Sequence, residues 1–352
     1  MKTIKFALFS DFHYHEGKYI SSVADLEAIL KRANDAKVDF VLQAGDFCNN
    51  LPASPEIFKV FLENEYGLDV YGIMGNHDLE NGGKMSTVTP TLTNRHDNVI
   101  WGTSDGKIGD GSIAYYYYEV NGFRIICCDS DYYYQTEEKI WKHYPSWYPG
   151  PGKDDEGKYS NINSLGPVQL SWLEGVIMDA AKKKLHCIVV THASLAGNRG
   201  PSQSADNEAA RAIFKRANEI QKGTVLVSVN GHHHTNIHEV IDGIFYLDMN
   251  TTRNGAWYYD GEEHYTDETF EFVEHDDDGN VKSVSVRKVA ELANSRKTWY
   301  FTDPTSAIVT VSSDGKVVVE GCETSWLYGI EPGRGAVGEE PYVSSGTYYV
   351  AG

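Results

Sequence analysis

Five short blocks of metal-ligating residue types recur along this chain, each close behind an apolar run. They are Asp11-Phe12-His13, Gly45-Asp46, Gly75-Asn76-His77-Asp78, the lone His192 of Val189-Val190-Thr191-His192, and Gly231-His232-His233-His234. An α/β sheet presents ligands in this way, from several strand ends into one crevice. One block alone constrains little, but five in series constrain both the fold and the chemistry. Asp, His and Asn offer carboxylate oxygen, imidazole nitrogen and amide oxygen, a mixed set suited to manganese, iron(II) or zinc. No block contains cysteine, which argues against a structural zinc site.

The elements before the blocks read as alternating strands and helices. Thr3–Ser10, Asp39–Ala44 and Asp69–Met74 are strands delivering the first three blocks; Ser21–Lys37 and Pro55–Tyr66 are helices between them. Val168–Lys184 and Ala205–Gln221 are helices, and Cys187–Val190 and Thr224–Val229 deliver the last two blocks. The alternation predicts βαβ units and a mostly parallel sheet. Val240–Asp248, Thr269–Glu274, Val281–Val289, Ala307–Val311 and Val317–Glu320 read as β, with a turn at Ser313-Asp314-Gly315. The aromatic stretch Tyr132–Asn163 shows no sustained period and is too long for a simple connection. Gly321–Gly352 reads as a tail lying along the body.

With 352 residues and 41% hydrophobic composition the chain can bury a sizeable core. A formal net charge of −19 disfavours extended polyanions, duplex nucleic acid above all, and leaves a small phosphate ester acceptable. No apolar run approaches the ~20 residues of a membrane span. The five cysteines show no paired spacing, which fits a reducing, cytoplasmic setting.

The order D-x-H, G-D, G-N-H-D, H, G-H-x-H resembles the calcineurin-like metallophosphoesterase family, over roughly Lys5 to Asn250. The resemblance implies an α/β fold, a four-layer α-β-β-α sandwich with a β-rich C-terminal extension. It also implies a catalytic domain over 1–320, with an aromatic insertion at 130–165 and a tail at 321–352 packed on the body. It implies two divalent cations (manganese, iron or zinc), one held by Asp11, His13, Asp46 and His234, the other by Asp46, Asn76, His192 and His232. Asp46 would bridge them, a metal-bridging hydroxide would attack phosphorus, and Asn76 would help hold the phosphoryl oxygens. His77, beside the ligand Asn76, would protonate the leaving alkoxide. His15, His186, His233 and His238 match no ligand position, and Asp78 reads as a turn residue.

Purple acid phosphatases carry Tyr three residues after the bridging Asp, where this chain has Asn49, and D-x-G where it has D-x-H. Protein Ser/Thr phosphatases have Asp at the same place, within a G-D-x-x-D-R-G block that Gly45-Asp46-Phe47-Cys48-Asn49-Asn50 lacks. The resemblance therefore narrows to the bacterial branch of small-molecule phosphodiesterases and nucleotide phosphohydrolases. Phosphodiester hydrolysis is favoured, with phosphomonoesterase or nucleotide phosphohydrolase activity as the alternative. A non-catalytic metal-stabilised scaffold is the rival of another class; Asn76 and His77 speak against it. An amidohydrolase-type dinuclear enzyme would want H-x-H near the first strand and a barrel repeat, and neither is present. Arg95, Arg199 and Arg253, in loops near the blocks, are candidates for a phosphate oxygen. The rings of Tyr132–Tyr148 are candidates for stacking on the substrate. Nothing in the sequence sets the oligomeric state.

Overall fold

The computed structural model describes residues 1–15, 21–49, 55–79, 84–143, 159–200, 203–257, 269–275, 281–288, 299–329, 332, 337–338 and 341–350. The apolar run Thr3–Phe9 forms strand β1. Ser22 then opens helix α1 (Val23–Ala36) with a reciprocal cap, its hydroxyl accepting from Asp25 N while the Asp25 carboxylate accepts from Ser22 N. Next come β2 (Phe40–Gln43), α2 (Pro55–Leu62), β3 (Val70–Gly72) and the short helix α3 (Met85–Val88). Strands β4 (Val99–Trp101), β5 (Tyr116–Val120) and β6 (Phe123–Cys127) follow, then β7 (Tyr132–Gln135), β8 (Ile140–His143) and β9 (Tyr159–Ser164). Helix α4 (Gly166–Lys183), β10 (His186–Val190), α5 (Asn207–Ile220), β11 (Val225–Asn230), β12 (Ile237–Ile241) and β13 (Ile244–Asp248) complete the part that bears the blocks.

The two-sheet sandwich that the resemblance implies is present, but both sheets are mixed rather than mostly parallel. The first runs Gly346–Tyr349, Lys316–Glu320, Ala307–Ser312, β1, β2, β3, and only β1-β2-β3 are parallel. The second runs β12-β13-β11-β10-β6-β5-β4, with β13, β11, β10 and β6 parallel and antiparallel hairpins at both edges. Helices cross over between β1 and β2, β2 and β3, and β10 and β11, whereas β11 and β13 pair in parallel with only β12 between them.

Successive side chains of a strand point to opposite faces, and this sorts the core into layers. Ile125, Cys127, Ile188, Val190, Val227 and Val229 pack toward the first sheet. Their neighbours Ile126, Cys187, Val189, Val225 and Tyr246 pack against Leu173, Ile177, Ala210 and Phe214 of α4 and α5. Helices α1 and α2 cover the first sheet through Leu26, Ile29, Phe58 and Phe61. The architecture is an α-β-β-α sandwich. Aromatic rings join the two sheets: Tyr71 of β3 stacks on Tyr118 of β5 at 3.6 Å, and Tyr116 Oη donates to Gly72 O at 2.8 Å.

Several local expectations change. Val240–Asp248 is a hairpin rather than one strand, because Asp242 and Gly243 adopt φ of 52° and 77° and turn the chain. Tyr132–Asn163 contains a three-stranded antiparallel sheet, order β8-β7-β9, whose ring alternation was too short to register as a period. Residues 144–158 of that stretch, with Trp147 and Tyr148, lie outside the described residues. The tail has strands: Gly346–Tyr349 edges the first sheet, and Tyr342–Val343 pairs with Cys322–Glu323. The extension also holds the hairpin Thr269–His275 with Val281–Lys288, and Asn254–Trp257 paired with Trp299–Tyr300 and Val337–Gly338. Among the described residues no helix is long and apolar enough to cross a membrane.

Arg124 ties α4 to the second sheet. Its guanidinium is fully buried and donates to Glu119, to Asp179 Oδ2 at 2.8 Å and to Val176 O at 2.6 Å, and it lies 4.6 Å from the Tyr117 ring centre. Arg124→Met keeps the stem but strands these acceptors, and should lower the unfolding free energy by about 2 kcal/mol in a urea titration. An unchanged midpoint would show that solvent satisfies them equally well.

Candidate metal centre

Each block leaves its strand through a tight turn. Asp11, His13, Asp46, His232 and His234 have φ of 50°, 51°, 52°, 68° and 52°, a region non-glycine residues rarely occupy. Extended backbone would aim Asp11 with His13, and His232 with His234; the left-handed turns arrange them differently. Left-handed residues flank Phe12 and His233, and the two histidines of the last block serve different parts of the site.

Backbone hydrogen bonds zip the turns together. Asp11 N, His13 N and Tyr14 N donate to Gly45 O, Asp46 O and Phe47 O, each at 3.0 Å. Gly231 N donates to His192 O at 3.2 Å, and His232 N crosses between the sheets to Asp11 Oδ2 at 3.0 Å. Asp78, 2% exposed, accepts from Gly75 N and Cys48 N at 2.8 Å and so clamps the second block to the third. Burial first, then the Asp46 charge, pushes its carboxyl up to about 7. Two block glycines make room for the neighbouring ligands. A Cβ on Gly75 would fall 2.3 Å from Asp46 Oδ1, and one on Gly231 would fall 2.5 Å from Asp11 Oδ2.

The side chains form overlapping groups: Asp11, His13 and His234; His13, Asp46 and His77; Asp46, His192 and His232. Asp46 belongs to two of the three. Its Oδ2 lies 3.1 Å from His192 Nε2 and 3.9 Å from His13 Nε2, while Asp11 Oδ1 lies 3.2 Å from His234 Nε2.

The outward nitrogens fix the tautomers. His13 Nδ1 donates to Asn49 Oδ1 at 2.8 Å, His192 Nδ1 to Ala44 O at 2.9 Å and His234 Nδ1 to Asn254 O at 2.9 Å. In the neutral rings each Nε2 then carries a lone pair aimed inward. His13 Nε2 and His234 Nε2 stand 3.1 Å apart with no proton between them in that state. Asn76 Oδ1 and His192 Nε2 are buried without a hydrogen-bond partner. Facing lone pairs beside carboxylates and an orphaned amide oxygen fit divalent cations and poorly fit a self-contained polar network.

Electrostatics agree with the donor set at His13, His232, Asp11 and Asp46. Burial lowers His13 to about 4, and burial together with His192 lowers His232 to about 3, so both are neutral near pH 7. Burial opposes ionisation of Asp11, yet the His234 imidazole brings it down to about 2; His192 and His77 hold Asp46 well below the usual carboxylate range. At His192 burial is outweighed by Asp46, which pushes the ring up to about 10.

His77 is half-buried at the rim. Its ring meets His13 edge-on at 4.9 Å, and its backbone N donates to Asp46 Oδ1 at 2.8 Å. Asn49 accepts from His13 and turns its amide nitrogen to His77 Nδ1 at 3.5 Å. His186 and His238 are tied to Gly223 O and Tyr348 Oη, and His233 joins none of the groups.

The three arginines proposed for phosphate are engaged in ion pairs. Arg95 pairs with Asp69 at 3.3 Å, Arg199 with Asp248 at 2.7 Å and Glu239 at 2.9 Å, and Arg253 with Asp25 at 3.1 Å. The sequence reading passed over Asn163, whose Nδ2 lies 3.3 Å from His232 Nε2. It also passed over Asp129-Ser130-Asp131, which follows the apolar run of β6 just as the other blocks follow theirs.

The family model of the calcineurin-like phosphoesterases matches residues 4–236. No curated protein matches the chain at a significant level. Similar solved structures include a dimetal phosphatase from Danio rerio, 12% identical, covering 100% of both chains with a TM-score of 0.49. GAP50, the anchor in the inner membrane complex of Plasmodium, is 12% identical and covers 100% of this chain and 89% of its own, with a TM-score of 0.43. Phosphopantetheinyl hydrolase from Mycobacterium tuberculosis is 14% identical over 70% of this chain and 89% of its own, with a TM-score of 0.33.

Arg199→Met leaves Asp248, 1% exposed, without its cation. The variant should lose about 3–5 kcal/mol of stability in denaturant unfolding. Undiminished stability together with weaker phosphate-ester binding would restore Arg199 as a substrate ligand.

Proposed function

The chain belongs to the calcineurin-like phosphoesterase family, and on that premise we propose that it hydrolyses a small phosphate ester, phosphodiesters favoured over monoesters. The observation that supports this best is the convergence of three Nδ1-anchored imidazoles on Asp11 and Asp46 beside the orphaned Asn76 Oδ1. In this reading Asp11, His13, Asp46 and His234 hold one divalent cation, and Asp46, Asn76, His192 and His232 hold the other. Manganese, iron and zinc all suit such an oxygen and nitrogen set. Two cations held by these residues would supply Lewis-acid chemistry, lowering the pKa of a bound water and offsetting charge on the phosphoryl oxygens.

The protein's own groups do the rest. Asp46 uses both oxygens: Oδ1 accepts from His77 N, and Oδ2 faces His192 and His13. Asn76 offers a neutral amide oxygen, which adds a ligand without adding charge beside a phosphate anion. His77, at the rim and held by its backbone bond to Asp46, donates a proton to the departing alkoxide. That role matters most for an alkyl ester, the kind of leaving group a natural diester carries. The insertion Tyr132–Asn163 reaches the site through Asn163 and selects among esters.

The net charge of −19 supports a small substrate over nucleic acid. The buried thiols of Cys127, Cys128 and Cys187 form no disulfide among the described residues, which supports a cytoplasmic location.

Asp46→Asn removes the shared charge, so metal analysis after chelation and reconstitution should show loss of at least one ion per chain. Full occupancy with full activity would end the two-cation reading. His77→Ala should lower kcat by ~10²–10⁴-fold on an ester with a poor leaving group. On p-nitrophenyl esters, whose leaving group departs unaided, the loss should be far smaller. Equal losses on both would make His77 a binding residue.

A further inference from the structure

We propose that Asp129, Asp131 and His143 form a separate site for a divalent cation, one that fastens the aromatic hairpin β7–β8 to the end of β6. None of the three is among the ligands assigned above. Asp129 and Asp131 follow β6, and His143 closes β8. One ligand atom from each lies within 4.8 Å of the others. Asp129 Oδ2 is 2.9 Å from His143 Nε2, close to the ~3.0 Å edge of an octahedron with bonds of about 2.1 Å.

The second observation is the state of Asp131. It is 2% exposed, and its carboxylate accepts no hydrogen bond from any described residue; its backbone N donates to Asp129 Oδ1 at 3.0 Å. Asp129 is fully buried. Among the described residues no lysine or arginine pairs with either carboxylate, and His143 is the one imidazole in contact. Two desolvated carboxyl groups therefore have one imidazole in contact, with the His192 ring acting on Asp131 from farther off, an arrangement that burial penalises unless a cation joins them. Two carboxylate oxygens and one imidazole nitrogen suit manganese or another borderline-hard divalent ion. The remaining coordination positions fall to water.

The site would have a mechanical effect. His143 lies on a hairpin whose strand β7 pairs with β9, and β9 carries Asn163 to His232. A cation at Asp129, Asp131 and His143 thus holds the insertion against the core beside the proposed active site. The ring of Tyr132 meets His143 edge-on at 4.9 Å and keeps the imidazole facing the carboxylates.

The test uses the full chain, stripped with a chelator and titrated with manganese alone, with bound ion counted by electron paramagnetic resonance and by elemental analysis. Wild type should bind one equivalent more than Asp131→Asn and one more than His143→Gln. The loss in Asp46→Asn should add to that of Asp131→Asn in the double variant. Asp131→Asn keeps size and removes charge; if it fails to fold by circular dichroism, His143→Gln, at a partly buried position, decides. Equal manganese stoichiometry in wild type and the folded variants would overturn the proposal. Because the Asp46 variant is read separately, failure of the two-cation reading and failure of this site give different patterns.

Discussion

The ionised, desolvated carboxylates of Asp11 and Asp46 set the constraint from which the rest of this structure follows. A buried anion is costly unless charge or strong donors surround it. Here the imidazoles of His13, His192 and His234 surround the pair, yet each spends its Nδ1 proton outward on Asn49, Ala44 or Asn254. The inner surface of the cluster is therefore rich in acceptors. Among the described residues, backbone donors reach it from the side, through His77 N and His232 N. Such a cluster calls for cations, and its neutral His13 and His232 are poised to bind them without first losing a proton.

Holding that arrangement costs backbone strain. Asp11, His13, Asp46, His232 and His234 all occupy left-handed conformations, each unfavourable by roughly 1–3 kcal/mol. The cost is sustained because the turns are hydrogen-bonded to one another and rest on a rigid double sheet. Stacked Tyr71 and Tyr118, and the bond from Tyr116 to Gly72, prevent the two sheets from sliding. A shift between sheets would move Asp46 relative to His192, since one comes from β2 and the other from β10. Packing in the core is thus the means by which ligand geometry is kept.

The second sheet carries a further loop into the same region. Beyond β6 the chain places Asp129 and Asp131 under the aromatic hairpin, and Gln169 of α4 fastens this turn by bonding both Asp129 N and Asp129 O. Helix, strand end and insertion therefore meet at one point. The attachment of the insertion is physically adjacent to the proposed chemistry.

The residue types of the site were legible in the sequence because each block is local: a buried strand, a turn, and ligand atoms within a few residues. The covering helices were legible for the same reason, since their apolar stripes repeat at helical spacing. The strands Val99–Trp101 and Tyr116–Val120 went unread because short, aromatic-rich segments give no clear period. The role of Arg199 was misjudged because its partner Asp248 lies 49 residues away, and no local pattern announces it. Asn163 and the Asp129–His143 contact were hidden likewise, since strand pairing across the insertion creates them. The amino-acid order alone determined which ligand chemistries are available and which strand ends deliver them. Only the tertiary structure decided which nitrogen faces which carboxylate. That choice depends on left-handed turns and on hydrogen bonds between segments far apart in the chain, and these form only when both sheets are packed.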